Sequence, residues 1–160
     1  NQPSLHIPWL FNFSGKPYLT QKWTRLICDE FYGTDGEHGY GYGQDEDQGQ
    51  LGSWYVLAAM GLFDVQGGAC SEPTYQLGSP EFDEITVHLS MFNAKGGKFR
   101  IITKGNSADA IYVQNATFNG KPLDRCWLYR DEVFNGGELV LRMGTEPSDV
   151  WNNSEPPVSE

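Results

Sequence analysis

Apolar side chains recur at intervals of three or four residues in the first third of the chain. Between positions 19 and 31 they form one stripe, and three charged side chains fall on the opposite side. This spacing predicts an amphipathic helix near 19–31 that begins after Pro17. The aromatic segment 6–13 and the turn residues at 14–17 indicate a helical hairpin with that helix. The stripe consists of Leu19, Trp23, Leu26, Ile27 and Phe31, and the charged side chains are Lys22, Arg25 and Asp29.

A second helix is predicted near 50–62, and it has almost no polar face. Apolar residues occupy nearly every position from Trp54 to Met60. A helix that is apolar all round must be buried by its neighbours, and this chain supplies too few helices to cover it. If the chain is made alone, we therefore expect an exposed hydrophobic patch and self-association.

The pattern changes to a period of two after Pro73, which indicates β-strands. Apolar and polar residues alternate in 85–90, further β-rich runs lie at 99–103, 111–118 and 139–143, and Asn119-Gly120 has the composition of a hairpin turn. The residues from Asn152 onward are polar and are predicted to form a loose tail. The sequence as a whole therefore predicts an α+β fold, with helices up to about residue 65 and strands from about residue 74.

Composition and charge narrow the classes of partner. The 160 residues are 39% hydrophobic and 14% aromatic, which is typical of a folded chain. Twenty-one acidic residues against eleven basic ones give a net charge of −10, which disfavours nucleic acid. No Lys or Arg lies between Arg25 and Lys95, whereas twelve Asp and Glu do, and this stretch favours a cation as ligand. The longest apolar stretch without a charge, 48–63, is shorter than a membrane span.

A glycine-rich acidic segment between the two helices holds the strongest candidate for chemistry. Asp45, Glu46 and Asp47 stand directly before the second helix. Like charges this close repel one another unless a metal, a helix N-terminus or solvent relieves them. From spacing alone the segment is either a shaped metal or acid–base site or a solvated loop with an N-capping Asp. An EF-hand that begins at Asp45 is excluded, because Val56 stands where its bidentate Glu would be.

Other chemistry-bearing residues favour structural roles. His6, His38 and His88 lack metal-like spacing, and Ser53 does not lie in a nucleophile elbow, since Trp54 and Tyr55 follow it. The three cysteines match no paired zinc or redox motif and are expected to pack as small hydrophobic residues.

The order of six motifs resembles the C-terminal part of glycoside hydrolase family 92. These motifs are NQP at 1–3, HIPWLF at 6–11, GKP at 15–17, DEDQGQ at 45–50, WYVLAAMGL at 54–62 and GSPEFD at 78–83, the last leading into TVHL at 86–89. Members of this family are calcium-dependent exo-α-mannosidases that invert the anomeric configuration, built from a β-sandwich domain and an (α/α)6 barrel. The resemblance implies that residues 1–66 are the last part of that barrel and that 67–160 form a β-rich C-terminal lobe.

The resemblance also implies roles for individual residues. Asp47 corresponds to the general base and Asp45 to a supporting carboxylate of the family's D-x-D motif. The NQP turn implies that Asn1 and Gln2 lie near Ca²⁺ together with Asp47. Because the family's general acid is a Glu far upstream, nothing in this chain corresponds to it. The chain is thus predicted to need the N-terminal part of the same enzyme to complete the reaction.

The predicted function is calcium-assisted hydrolysis of terminal α-linked mannose from glycans, as part of a larger enzyme. A non-catalytic carbohydrate-binding or structural piece is the alternative. An upstream Glu on the same polypeptide would favour the enzyme. Because its substrate would be a glycan, the enzyme is expected to be exported to the periplasm or the extracellular space.

Overall fold

A computed structural model describes residues 2–33, 48–92 and 97–157. Two 3₁₀ helices, Gln2–Ser4 and Ile7–Ser14, precede the first α-helix. The remaining elements, in chain order, are α1 Pro17–Phe31, α2 Gln50–Ala59, β1 Leu62–Phe63, β2 Thr74–Leu77, β3 Glu84–His88, β4 Lys98–Lys104, β5 Tyr112–Phe118, β6 Lys121–Pro122, β7 Trp127–Tyr129, α3 Arg130–Phe134 and β8 Gly137–Gly144. The predicted α+β class is confirmed.

The helices begin and end where local chemistry requires it. The second 3₁₀ helix ends at Gly15, whose φ of 69° lies in the left-handed region that glycine tolerates, and Pro17 starts α1. α2 ends at Ala59, earlier than the predicted 62, because Gly61 turns the chain with a φ of 72° and sends Leu62 into β1. The predicted hairpin is therefore present, with a 3₁₀ helix as its first arm.

The strands form two sheets. β1, β2 and β7 make a three-stranded antiparallel sheet, and the other five strands lie in the order β3-β4-β8-β5-β6. Within the larger sheet β8 pairs in parallel with β4 and antiparallel with β5. The inward-facing residues of β4 and β8 alternate as expected for a half-buried sheet and form the main core with Trp127, Leu128 and Trp151.

The C-terminal tail differs from the loose segment that its polarity predicts. The backbone N–H of Cys126 donates to Ser154 Oγ at 3.1 Å, and Trp127 Nε1 donates to the carbonyl of Glu155 at 2.8 Å. The tail is thus held against the smaller sheet as far as Glu155. Its polar composition predicts a segment surrounded by water, but polar groups of the tail accept hydrogen bonds from residues in and next to the smaller sheet instead.

α1 turns its polar side toward the rest of the chain. Thr20, Gln21, Thr24 and Arg25 are all at most 7% exposed. The backbone N–H of Val113 in β5 donates to Gln21 Oε1 at 2.9 Å, which satisfies a buried amide. Of the apolar stripe, Leu19 and Ile27 are half-buried, whereas 39% of Trp23, 38% of Leu26 and 61% of Phe31 remain accessible. The amphipathic helix is confirmed, but the face it buries against this chain is the polar one.

Candidate functional site

Most of the predicted site residues lie outside the described residues. Asn1, Asp45 and Asp47 belong to segments that the structure does not describe, and Gln2 opens the first 3₁₀ helix. Their roles as metal ligands, general base and supporting carboxylate therefore remain predictions. The structure does describe the elements on either side of the acidic motif.

An aromatic cluster holds the two helices together where the acidic segment joins them. Tyr32, just after α1, stacks on Trp54 of α2 with ring centroids 5.7 Å apart and on Tyr55 at 5.0 Å. Stacked aromatic pairs contribute about 0.5 to 1.5 kcal/mol beyond their buried area. The residues that lead into and out of the acidic segment are therefore fixed side by side.

The N-terminal turn is attached to the same helix. Trp54 Nε1 donates to the carbonyl of Leu5 at 2.8 Å, and only 1% of the Trp54 side chain is exposed. Leu5 directly follows the first 3₁₀ helix, which begins at Gln2, and α2 begins three residues after Asp47. One buried indole thus joins the two stretches of chain to which the NQP and D-x-D motifs belong.

The backbone enters α2 through two residues in the left-handed region. Gln48 has a φ of 60° and Gly49 a φ of 92°. A non-glycine residue in this region is uncommon and costs about 1 kcal/mol or more, so the surrounding contacts must maintain it. The Ser53 hydroxyl donates to the carbonyl of Gly49 at 2.6 Å, which gives Ser53 a structural role at the start of the helix.

The GSPEFD motif at 78–83 is a packing and hydrogen-bonding motif in this fold. A Cβ on Gly78 would lie 2.9 Å from the ring of Trp9, which is fully buried and stacks on Phe63. The guanidinium of Arg25 donates to the carbonyl of Pro80 and, at 3.3 Å, to that of Ser107. The motif therefore joins the helices to the β lobe.

Glu81 of the same motif contacts both helices. The Tyr55 hydroxyl lies 3.4 Å from Glu81 Oε2, and the thiol of Cys28 also contacts this carboxylate. Burial raises the pKa of the Tyr55 hydroxyl, and the charge of Glu81 adds to the effect. Burial likewise raises the pKa of the Cys28 thiol far above its usual range, and the charge of Glu81 raises it further. Cys28 is thus a protonated packing residue, as predicted for a small hydrophobic side chain.

A cleft of about 530 Å³ opens between α1 and the β lobe beside this contact. Its walls are charged and polar, and Phe82 at its edge is 54% exposed. The sequence does not predict this cleft, because its residues come from three separate stretches of chain. It is lined by Arg25, Asp29, Glu81, Phe82, Asp83, Asn106, Ser107 and Ala108.

No metal cluster is present in the part of the chain that the structure describes. Within 2–33, 48–92 and 97–157, no three His, Cys, Asp or Glu side chains come close enough together to hold a metal ion. In the same ranges, every helix is too short or too polar to cross a bilayer.

Comparison with known proteins identifies the family. The model of the glycosyl hydrolase family 92 catalytic domain matches residues 1–145. The chain belongs to glycosyl hydrolase family 92. Sequence motifs alone predicted this family, and the match extends well beyond the last of them, through the whole of β8.

Solved structures of family 92 enzymes have the same fold. The chain is 36% identical to the inverting mannosidase BT2199 of Bacteroides thetaiotaomicron, with a TM-score of 0.82 over 98% of this chain. It is 30% identical to the α-mannosidase BT3965 of the same organism, with a TM-score of 0.84, again over 98% of this chain. It is 31% identical to the family 92 glycosyl hydrolase ccman5, with a TM-score of 0.87 over 99% of this chain.

The chain corresponds to a limited portion of these family 92 proteins. It covers 20% of BT2199 and of BT3965 and 24% of ccman5. An uncharacterized secreted glycosidase of Arthroderma benhamiae is 30% identical over 98% of this chain, which covers 20% of that protein. The chain therefore spans about a fifth of the length of the relatives it matches.

Proposed function

We propose that this chain is the C-terminal part of a glycoside hydrolase that removes terminal α-linked mannose from glycans with inversion, assisted by calcium. The observation that carries the proposal is the match of residues 1–145 to the family 92 catalytic domain, together with the DEDQGQ motif directly before α2. The identification of the relatives BT2199 and BT3965 as mannosidases supports mannose as the sugar.

Asp47 is proposed as the general base. An inverting glycosidase needs a carboxylate that deprotonates a water on the face opposite the leaving group, with the general acid roughly 6.5 to 9.5 Å away. Asp45 and Asp47 are two residues apart, so they belong on one side of the sugar as helper and base. Asp45 would hold the water or raise the pKa of Asp47 by like-charge repulsion. The general acid would come from the N-terminal part of the enzyme.

Calcium is proposed as the cofactor, and the residues present fit it. Asp47 offers a carboxylate, and Asn1 and Gln2 offer amide oxygens, which are the hard ligands that calcium prefers. The bond from Trp54 to Leu5 supports this set, because it attaches the N-terminal turn to the helix that follows Asp47. When bound, calcium would ligate two sugar hydroxyls and favour a ring distorted toward the oxocarbenium-like transition state.

The apolar stripe of α1 supports the rest of the enzyme as partner. Trp23, Leu26 and Phe31 would pack against preceding helices of an (α/α)6 barrel, while the polar side of α1 contacts the β lobe. Export of the enzyme is proposed from its glycan substrate and from the name of the secreted relative in Arthroderma benhamiae.

The intact enzyme tests the proposed mechanism. Asp47→Asn and Asp45→Asn should each lower kcat on an aryl α-mannoside, since losing a general base costs about 10²- to 10⁴-fold. Glu46→Gln is the matched control and should have a much smaller effect. Proton NMR of the first sugar released should show β-mannose. Release of α-mannose would exclude inversion, and full activity of Asp47→Asn would show that another carboxylate is the base.

Calorimetric titration of the intact enzyme tests the calcium proposal. Wild type should bind Ca²⁺, and Asp47→Asn should bind it more weakly, because the variant loses a charged ligand. Glu46→Gln is the control, because it removes a neighbouring charge but no proposed ligand. A larger loss of Ca²⁺ affinity in Asp47→Asn than in Glu46→Gln would indicate direct ligation rather than general electrostatic attraction. Equal affinities in wild type and Asp47→Asn would remove Asp47 from the ligand set.

A further inference from the structure

The cleft between α1 and the β lobe has the size and rigidity of a ligand site. Its volume of about 530 Å³ lies within the range of roughly 300 to 1,000 Å³ that is usual for ligand pockets. One wall, residues 81–83, is held at several points. Asn106 Nδ2 donates to the carbonyl of Glu81 at 3.0 Å, and the Thr103 hydroxyl and backbone N–H donate to the carbonyls of Phe82 and Asp83 at 2.8 and 2.9 Å. The wall is therefore largely preformed.

A buried guanidinium lies against the same cleft. Arg25 is 7% exposed, and its terminal nitrogens donate to the carbonyls of Pro80 and Ser107 and, at 3.4 Å, to Asn106 Oδ1. Its Nε has no hydrogen-bond partner among the described residues, which is rare for a buried donor. Because this nitrogen is itself shielded from solvent, Arg25 shapes the wall of the cleft, and the groups that a ligand could reach are the exposed carboxylates and Phe82.

Charge and spacing limit the class of ligand. Three carboxylates, those of Asp29, Glu81 and Asp83, line the cleft together with one guanidinium, so the cleft is net negative and disfavours phosphate, sulfate or acidic sugars. Within the described residues, these carboxylates do not converge closely enough to hold a metal ion. Asp29 and Asp83 also form no salt bridge with described residues. Separated acceptors of this kind suit hydroxyl donors distributed around a neutral molecule.

The exposed ring of Phe82 indicates which class of neutral molecule the cleft would bind. Its ring is 54% exposed at the edge of the cleft, beside two carboxylates of the same motif. A pyranose has an apolar face that can stack on an aromatic ring and a rim of hydroxyl groups that can donate to carboxylates. We propose that this cleft binds a pyranose unit of a neutral glycan, with Phe82 as the stacking platform and Asp29 and Asp83 as hydroxyl acceptors.

The choice of mannose as the sugar in the test rests on the proposed function. The cleft would give the enzyme a second contact with its glycan. The experiment uses the intact enzyme carrying Asp47→Asn, so that the ligand is not consumed, in buffer with EDTA. Calorimetric titration with linear α-mannopentaose should give an affinity at least about fivefold lower when Phe82→Ala is added, since truncating a stacking aromatic contact costs more than about 1 kcal/mol. Asp83→Asn should weaken binding severalfold.

Phe92→Ala is the matched control, because Phe92 is also an exposed aromatic residue, 98% accessible, but lies outside the cleft. Its affinity for mannopentaose should equal that of the parent. Phe82 is half exposed, so Phe82→Ala should retain the melting temperature of the parent. Equal affinities of Phe82→Ala and the parent would overturn the proposal. Binding of spermidine but not mannopentaose, sensitive to Asp83→Asn, would overturn it in favour of an organic cation.

The proposed catalytic function and the proposed glycan site in the cleft can be disproved independently of each other. If the wild-type enzyme hydrolyses no α-mannoside but binds mannopentaose in a Phe82-dependent way, the catalytic proposal fails and the cleft stands. If hydrolysis depends on Asp47 and binding is independent of Phe82, the cleft proposal fails and the catalytic proposal stands.

Discussion

At the scale of single residues, Gly78 is required by the space beside Trp9. The indole is fully buried and stacked on Phe63, so it cannot move away from a new methyl group. The ring atoms nearest to a Cβ on Gly78 would lie at 2.9 and 3.0 Å. The glycine in this family motif is therefore explained by packing, without any direct role in chemistry.

We expect Gly78→Ala to lower the free energy of unfolding by about 1 to 3 kcal/mol, the usual cost of overpacking a rigid core. Urea denaturation checks this. A second substitution, Trp9→Phe, removes the ring atoms that would clash, so the double variant should lose less stability than the sum of the single ones. Strict additivity of the two losses would mean that the clash is relieved in another way.

Cys126 gives a pH dependence with a definite sign. Its side chain is fully buried, and burial raises the pKa of the thiol to about 11. The unfolded thiol ionises near pH 8.5, so its contribution to stability is fully present below that pH and is lost as the pH rises toward 11. The loss approaches about 1.4 kcal/mol per pH unit. Urea denaturation should show a shallower decline with pH for Cys126→Ala than for wild type, and parallel curves would contradict this assignment.

At the scale of secondary structure, periodicity predicted the type of the long elements well. The runs at 99–103 and 139–143 lie inside β4 and β8, and both predicted α-helices exist. The alternation that identifies a half-buried strand and the 3.6-residue spacing of a helix are local properties. The short strands β1, β2 and β7 were not predicted, because two to four residues contain too few repeats of any period.

The buried face of α1 could not be predicted from its pattern. The apolar stripe predicts a buried surface, but the chain supplies hydrogen-bond partners for the polar side instead, such as the Val113 N–H for Gln21. Which face meets which neighbour depends on contacts far apart in sequence. The exposed patch was expected on α2, where Val56 is 56% exposed but Trp54 and Ala58 are buried, so the exposed part of the α1 stripe adds hydrophobic surface that was not expected.

The double variant Leu26→Gln/Phe31→Gln tests what the stripe of α1 does. In the 160-residue chain it should reduce self-association, measured by sedimentation, because it removes exposed apolar area. In the intact enzyme the same variant should lower the melting temperature, because the stripe would be buried there. Phe92→Gln is the control for exposed apolar residues in general. If it reduces self-association equally, the effect does not belong to α1.

At the scale of the whole molecule, two hydrophobic clusters are joined by polar contacts. One cluster lies in the β lobe and contains Trp151, and the other lies among the helices and contains Trp9 and Trp54. Arg25 of α1 links the two parts, because its guanidinium donates hydrogen bonds to the carbonyls of Pro80 and Ser107. Buried hydrogen bonds to a charged group contribute about 1.5 to 3 kcal/mol each, so this side chain couples the two parts strongly.

Arg25→Met should therefore loosen the helices more than the sheets. Native-state hydrogen exchange should show lower protection of amides in α1 and α2, while amides of β4 and β8 keep theirs. Arg142→Met, which removes an exposed guanidinium on β8, should change neither group. A uniform loss of protection throughout the chain would mean that the two clusters unfold as one unit.

The candidate site was only partly predictable at this scale. Motif order predicted the family, and the predicted boundary between the acidic motif and α2 agrees with the helix start at Gln50. The roles of Asp45, Asp47, Asn1 and Gln2 stay predictions. The cleft beside Phe82 was not predictable, because α1, residues 81–83 and residues 106–108 become neighbours only through the tertiary fold.

The position of β8 has a consequence for how the lobe acquires its structure. β8 lies in the middle of the larger sheet, between β4 and β5, yet it follows every other strand along the chain. Its Leu139 pairs with Ile101, far back in the sequence, so the sheet depends on contacts of high contact order. On the ribosome, β4 and β5 emerge before the strand that joins them. The lobe must therefore close late in synthesis, and shortening the chain before Gly144 would remove the sheet's centre rather than its edge.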